Sequence, residues 1–151
     1  MIASTSARNG SFRALSGRAV IATDDDHSRE IASSVRAQLT EVSAGHKSRK
    51  GVQVVGGVAY FDGRALAWQR DWPALQGPHN AQNAAAAIAA CRVLGLPDAA
   101  IVAALKSYPG LPHRMERVKV AGGVLYVNDS KATNPTSTAP ALGAYPAIHW
   151  I

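Results

Sequence analysis

The sequence has a single cysteine, Cys91, so it can form no internal disulfide and offers no cysteine-based metal cluster. Long apolar runs are also missing. The longest, Ala84 to Cys91, has eight residues, six of them alanine, far short of the roughly 20 needed to cross a bilayer. The first residues lack a hydrophobic stretch of signal-peptide length, so a soluble, cytoplasmic protein without a membrane span is expected. Aromatic residues make up only 6% and no basic cluster exceeds Lys47-Ser-Arg49-Lys50, which argues against nucleic acid as a partner despite the net charge of +6. No Gly-x4-Gly-Lys-Ser/Thr loop and no Gly-x-Gly-x-x-Gly occurs, so the principal phosphate cradle of a nucleotide enzyme is absent from these residues. Large aliphatic and phenyl side chains are scarce as well. Leu, Ile, Val and Phe total 32 of 151 residues, against 29 alanines, which predicts a thin core for this length.

What is present is an α/β pattern. Arg18 to Thr23 is short, apolar and β-branched, as in a buried strand. Asp24-Asp25-Asp26 follows, and Ile31, Val35 and Leu39 recur at four-residue spacing, predicting a helix over 29–39 capped by Asp or Ser. Gly56-Gly57 separates two β-branched runs, a hairpin signature, and 66–68 adds a third short strand. The alanine-rich segment Asn80–Leu94 predicts a long helix ending at Gly95, and Pro97-Asp98 opens another. Two prolines and a glycine in Tyr108–Pro112 mark a boundary. A second hairpin turns at Gly122-Gly123, 135–144 is a helix candidate limited by Pro140, and 147–151 has a strand pattern. Because chains rarely finish inside a core strand, that last pattern is expected to signal a truncated chain.

Three polar clusters could carry chemistry. Gly77-Pro78-His79-Asn80-Ala-Gln-Asn83 sits at a helix N-terminus, where free N–H groups attract anions. Asn80 and Asn83, three apart, share a face and can meet the edge of a purine. Asn80 could equally be a simple helix cap. Gly110-Leu-Pro-His113-Arg114 offers a guanidinium fork for phosphate or carboxylate, or merely an exposed linker arginine. Asn128-Asp129-Ser130-Lys131-Ala132-Thr133-Asn134 follows a strand, at the usual ligand position of an open α/β sheet, unless it is a plain polar turn. Elsewhere Cys91 is expected in the core, His46 and His149 are isolated with no metal-ligand spacing, and Asp24–Asp26 is expected to cap a helix rather than bind a cation.

In this order and spacing, Gly77-Pro-His79-Asn80-x-x-Asn83, Gly110-Leu-Pro-His113-Arg114-x-Glu116 and Asn128-Asp-Ser-Lys-Ala-Thr-Asn134 resemble the Mur ligases, ATP-dependent amide-forming enzymes of peptidoglycan synthesis. The Asp-Ser-Lys-Ala-Thr-Asn form is most similar to the D-glutamate-adding members. The resemblance runs roughly over residues 18–151 and implies the following. Residues 1–110 would be the latter part of a central ATP-binding domain, and 111–151 the beginning of a Rossmann-like, amino-acid-binding C-terminal domain. Asn80 and Asn83 would face adenine, Arg114 would lie by ribose and phosphates, and Asp129 would hold ribose hydroxyls. Lys131 and Thr133 would grip D-glutamate, and Lys131 and His113 would be the catalytic candidates. ATP and Mg2+ would be required, with the metal ligands outside these residues. UDP-N-acetylmuramoyl-L-alanine and D-glutamate would be the partners, and the whole enzyme a monomer. These 151 residues alone would be inactive as a ligase. The competing expectation is a non-catalytic nucleotide-binding module.

Overall fold

The computed structural model describes residues 17–35 and 38–151. Five strands form the larger sheet: β1 (Arg18–Ala22), β2 (Gln38–Ser43), β3 (Val52–Val55), β4 (Val58–Phe61) and β5 (Arg64–Trp68), side by side in chain order. The β1–β2 and β2–β3 pairs are parallel, and β3–β4 and β4–β5 antiparallel. The antiparallel half follows from local turn chemistry. Gly56 and Gly57, both at positive φ (60° and 74°), close the β3–β4 hairpin, and Asp62-Gly63 closes the next. Gly51 is required for another reason. At φ 76° a Cβ there would lie 2.1 Å from the Glu41 carbonyl oxygen, inside the close approach of β2 to the start of β3.

Helix α1 (Asp26–Ser34) begins where Asp25 accepts a hydrogen bond from the Ser28 N–H at 2.8 Å. The helix predicted over 29–39 is corrected at its C-terminal half. It stops at Ser34, Val35 is extended (φ −75°, ψ 123°), and Leu39 belongs to β2. Two causes are visible. The Ser33 and Ser34 hydroxyls bond the Glu30 and Ile31 carbonyls, loosening the last turn, and Leu39-Thr-Glu-Val42 finds a parallel partner in β1. Pairing with a neighbouring strand overrode the four-residue spacing.

The core lies between this sheet and helix α2 (Pro78–Val93), with α3 (Asp98–Ser107) alongside. Ala81, Ala84, Ala85, Ile88 and Ala89 are buried and recur at helical spacing, forming one stripe against Val42, Val52, Val54 and Ala59. Small side chains let the helix axis come close to the sheet, so few large residues are needed. Trp72, fully buried, fills the end of the layer. The scarcity of Leu, Ile and Phe is therefore met by alanine packing. Cys91 is only partly buried and packs at the edge of this core.

Beyond Tyr108–Pro112, β6 (Glu116–Ala121) and β7 (Val124–Asn128) form a separate antiparallel hairpin turning at Gly122-Gly123, followed by α4 (Pro135–Leu142). Among the described residues no strand of one sheet pairs with the other. Val118, Val120, Val124 and Tyr126 of the hairpin are 44–64% exposed. The strand expected over 147–151 is not formed. The segment is irregular, with Ile148, Trp150 and Ile151 exposed, and among the described residues it pairs with no strand that would complete a ladder. Among the described residues no helix is long and apolar enough to cross a membrane.

Candidate functional site

The N-terminus of α2 is set by a braced turn. A short 3-10 turn, Gln69–Asp71, follows β5. The Gln69 amide nitrogen donates to the Leu75 and Gly77 carbonyls (2.8 and 2.9 Å), and the Gln76 amide nitrogen to the Gln69 and Trp72 carbonyls (2.8 and 2.7 Å). Gly77, at φ 87°, is the N-cap, a role the sequence left open for Asn80. Asn80 instead lies in the first turn, its Nδ2 donating to the Gln76 carbonyl at 2.9 Å. Its side chain therefore caps nothing and, with Asn83, lines the adjoining cavity.

The second cluster is a tight turn closed by the Leu111–Arg114 bridge. His113 and Met115 adopt positive φ (64° and 48°), unusual for residues with a Cβ. Carboxylates from the flanking strands pin this backbone. Glu116 accepts from the His113 N–H and Asp129 from the Met115 N–H, both at 2.9 Å. The third cluster joins the same knot, since the Lys131 N–H donates to the His113 carbonyl at 3.1 Å. Asn128 Nδ2 lies 2.9 Å from His113 Nδ1, which orients the imidazole toward β7. At the far end Asn134 is consumed as the N-cap of α4, in a reciprocal capping box with Ser137.

A cavity of about 820 Å³ opens between α2, α3 and these two loops. Asn80, Asn83, Arg114, Asp129 and Lys131 all line it, although they come from three separate stretches of sequence. The rest of its wall is mostly apolar, including Ala87, Ile101, Leu105 and Tyr108. An apolar slot with a few convergent polar groups is the usual form of a small-molecule site. Arg114 and Lys131 supply positive charge for an anion, Asp129 an acceptor for hydroxyls, and the two asparagines a donor–acceptor edge. His113 and Thr133 do not line it. His113 turns out toward Asn128 and Glu116, and Thr133 is exposed in the loop.

His79, quoted in the first cluster without a role of its own, also lines the cavity. Burial lowers its pKa, opposed only partly by the negative Asp129, so the ring is neutral at pH 7. Its Nδ1 is buried and has no hydrogen-bond partner among the described residues. Asp24, expected together with Asp25 and Asp26 to cap a helix, does not cap α1, a role that falls to Asp25. Burial pushes the Asp24 carboxyl pKa up, but hydrogen bonds from Ser43, the Ala44 N–H, Gln82 and the Gly45 N–H outweigh that and lower it to about 2. It anchors α2 to the sheet through Gln82 (2.8 Å) and does not line this cavity. Neither role was legible in the sequence, because each depends on partners distant in the chain. No group of three or more His, Cys, Asp or Glu among the described residues could hold a metal ion.

No family model matches the chain. It is 50% identical over 149 residues to the UDP-N-acetylmuramoylalanine–D-glutamate ligase of Novosphingobium aromaticivorans, covering 99% of this chain and 30% of that protein. The ligase of the same name from Sphingopyxis alaskensis is 52% identical over 138 residues, 88% of this chain and 28% of the relative. Among solved structures, the UDP-N-acetylmuramoylalanyl-D-glutamyl-2,6-diaminopimelate–D-alanyl-D-alanyl ligase of Acinetobacter baumannii superposes with a TM-score of 0.62 at 24% identity, over 86% of this chain and 30% of that one, a likeness of fold. This chain thus spans about 30% of the length of the curated relatives it matches. With half its residues identical across nearly all of its length to a relative of that name, the chain belongs to the Mur ligase family, on the branch that carries the D-glutamate ligase name.

Proposed function

We propose that these residues supply the nucleotide-binding wall and part of the amino-acid-binding loop of an ATP-dependent ligase that joins D-glutamate to UDP-N-acetylmuramoyl-L-alanine. Residues 1–110 then belong to its central ATP-binding domain and 111–151 open its C-terminal domain. The reading rests on one observation: a single cavity gathers Asn80, Asn83, Arg114, Asp129 and Lys131. Asn80 and Asn83 would take the purine edge, with Ala84 and Ala87 on α2 and Ile101 on α3 excluding water from its ring. Asp129 would accept from ribose hydroxyls, and Arg114 and Lys131 would neutralise phosphate or carboxylate charge. Lys131 and Thr133 would hold the D-glutamate carboxylates once the exposed 129–134 loop meets that substrate. His113 is a positioning residue in this scheme, because its backbone and ring tie the Arg114 turn to the Lys131 loop.

In such a ligase ATP phosphorylates the substrate's terminal carboxylate, and the amine of D-glutamate displaces the phosphate to form the amide. The phosphate loop and metal ligands that step needs are not found among the described residues, and no Mg2+ step is assigned to them. The whole ligase would be a monomeric cytoplasmic enzyme, whereas these 151 residues alone would bind nucleotide without turning it over. Isothermal calorimetry with ATP and ADP tests this. Binding in the micromolar range that weakens about tenfold or more in Asn83→Ala is expected, from the loss of one paired polar edge. No heat of binding at millimolar nucleotide, or ATP hydrolysis by this chain alone, would overturn it.

A further inference from the structure

The braced turn before α2 leads by its hydrogen bonds into the cavity. An asparagine amide usually has two interchangeable orientations. At Asn80 the choice is decided, since the partner at 2.9 Å is the Gln76 carbonyl, which can only accept. The nitrogen end is therefore held toward Gln76 by one of its two N–H groups, which leaves the oxygen as the end that can accept from a ligand. The Gln76 carbonyl is itself fixed by the two glutamine side chains, whose amide nitrogens make four hydrogen bonds to backbone carbonyls across residues 69–77. Gln69 is 9% exposed, and burying such a side chain is favourable only when its polar ends are satisfied.

We propose that Gln69 and Gln76 are positioning residues that hold Asn80 with its acceptor oxygen toward the cavity, so that the site prefers a purine bearing an exocyclic amino group over one bearing an oxo group. The inference rests on the nucleotide-binding reading above. A 6-amino group donates to Oδ1. A 6-oxo group at the same place sets oxygen against oxygen, and the amide cannot flip without breaking its bond to Gln76. When the brace is lost, the Gln76 carbonyl is free to move, the amide can turn, and the two purines become nearly equivalent.

Calorimetry with ATP and inosine triphosphate on the full chain tests this, using wild type, Gln69→Met and Gln76→Met. Methionine keeps the length of glutamine and removes its donors. Wild type is expected to bind ATP about tenfold more tightly than the inosine nucleotide, the worth of one hydrogen bond exchanged for an acceptor–acceptor clash. In either variant the ratio is expected to fall to about twofold or less, mainly through weaker ATP binding. A purely structural role would weaken both nucleotides together and leave the ratio intact. An unchanged ratio in a variant with a cooperative thermal transition overturns the proposal. If Gln69→Met does not fold, the less buried Gln76→Met decides. Equal binding of both nucleotides by wild type overturns this inference and leaves the nucleotide reading standing, whereas binding of neither overturns both.

Discussion

Replacing Asp24 by asparagine should test how α2 is held to the sheet. Asp24 Oδ1 accepts from the Ser43 hydroxyl (2.5 Å) and the Gly45 N–H (2.9 Å), and Oδ2 from the Ala44 N–H (2.9 Å) and Gln82 Nε2 (2.8 Å). Its side chain is 19% exposed. In Asp24→Asn one end of the group becomes a donor, so two of the four incoming donors lose their acceptor whichever way the amide turns. The nitrogen should face Ser43 and Gly45, because both have alternatives: Ser43 Oγ lies 3.0 Å from His46 Nδ1, and the Gly45 N–H lies 3.2 Å from Ser43 Oγ. The bonds to Ala44 and Gln82 then survive without charge assistance, which costs about 2 kcal/mol. The depressed pKa leads to a similar figure. A fall from 3.8 to about 2, discounted for solvent at the rim, is worth about 1–2 kcal/mol. For a chain of this length that lowers the Tm by about 4–8 °C at pH 7. The sign follows from the direction of the shift. A carboxyl whose folded pKa is depressed contributes fully above its unfolded value near 4 and loses that contribution as pH falls toward 2. Circular-dichroism melts at pH 7 should show the gap, and a series down to pH 2 should show it closing. Equal Tm values at pH 7, or a gap undiminished at pH 2, would refute the argument.

Two further substitutions probe the layer beneath the site. Gly51→Ala should destabilise by about 2 kcal/mol or more, since it adds left-handed strain to a 2.1 Å clash with the Glu41 carbonyl; a urea midpoint within error of wild type would contradict it. Ile88→Ala, at a side chain 1% exposed between α2 and the sheet, should cost about 3 kcal/mol with an unchanged urea m-value, and a loss below 1 kcal/mol would show that α2 collapses onto the vacated space.

Elements whose shape is set by neighbours in sequence were legible from the residues. The alanine run predicts α2, and the Gly-Gly pairs predict the hairpins at 56–57 and 122–123, because helix propensity and positive φ are local properties. The boundary between α1 and β2 was not legible. Ile31, Val35 and Leu39 satisfy a helical period, and only the presence of β1 as a parallel partner draws Leu39 into a strand. The expected strand at 147–151 fails for the converse reason, a suitable pattern without a partner. At the site, the polar loops stood out by composition, but their convergence on one cavity is a property of topology. The outward turn of His113 depends on a positive φ that nothing in its neighbours announces, and Gln69 and Gln76 carry no signature until the carbonyls they serve are in place.

Helix α2 couples fold and site because its two faces are used differently. Ala81, Ala85, Ile88 and Ala89 face the sheet, Asn80, Asn83 and Ala87 line the cavity, and Ala84 and Cys91 at the border of the two faces line the cavity while packing into or against the core. The small buried residues leave α2 no intervening layer, so its position over the sheet is also the position of the cavity wall. The three restraints on the helix, the Gln82–Asp24 bond, the alanine stripe and the glutamine-braced turn at Gly77, therefore act on the same quantity, the placement of Asn80 and Asn83. On the other side of the cavity, Arg114, Asp129 and Lys131 are held to one another by the His113 and Met115 backbone bonds and by no strand shared with the first sheet. A rigid asparagine edge thus faces a charged cluster that is tightly knit within itself. A ligand spanning the two would contribute its own binding energy to fixing their separation.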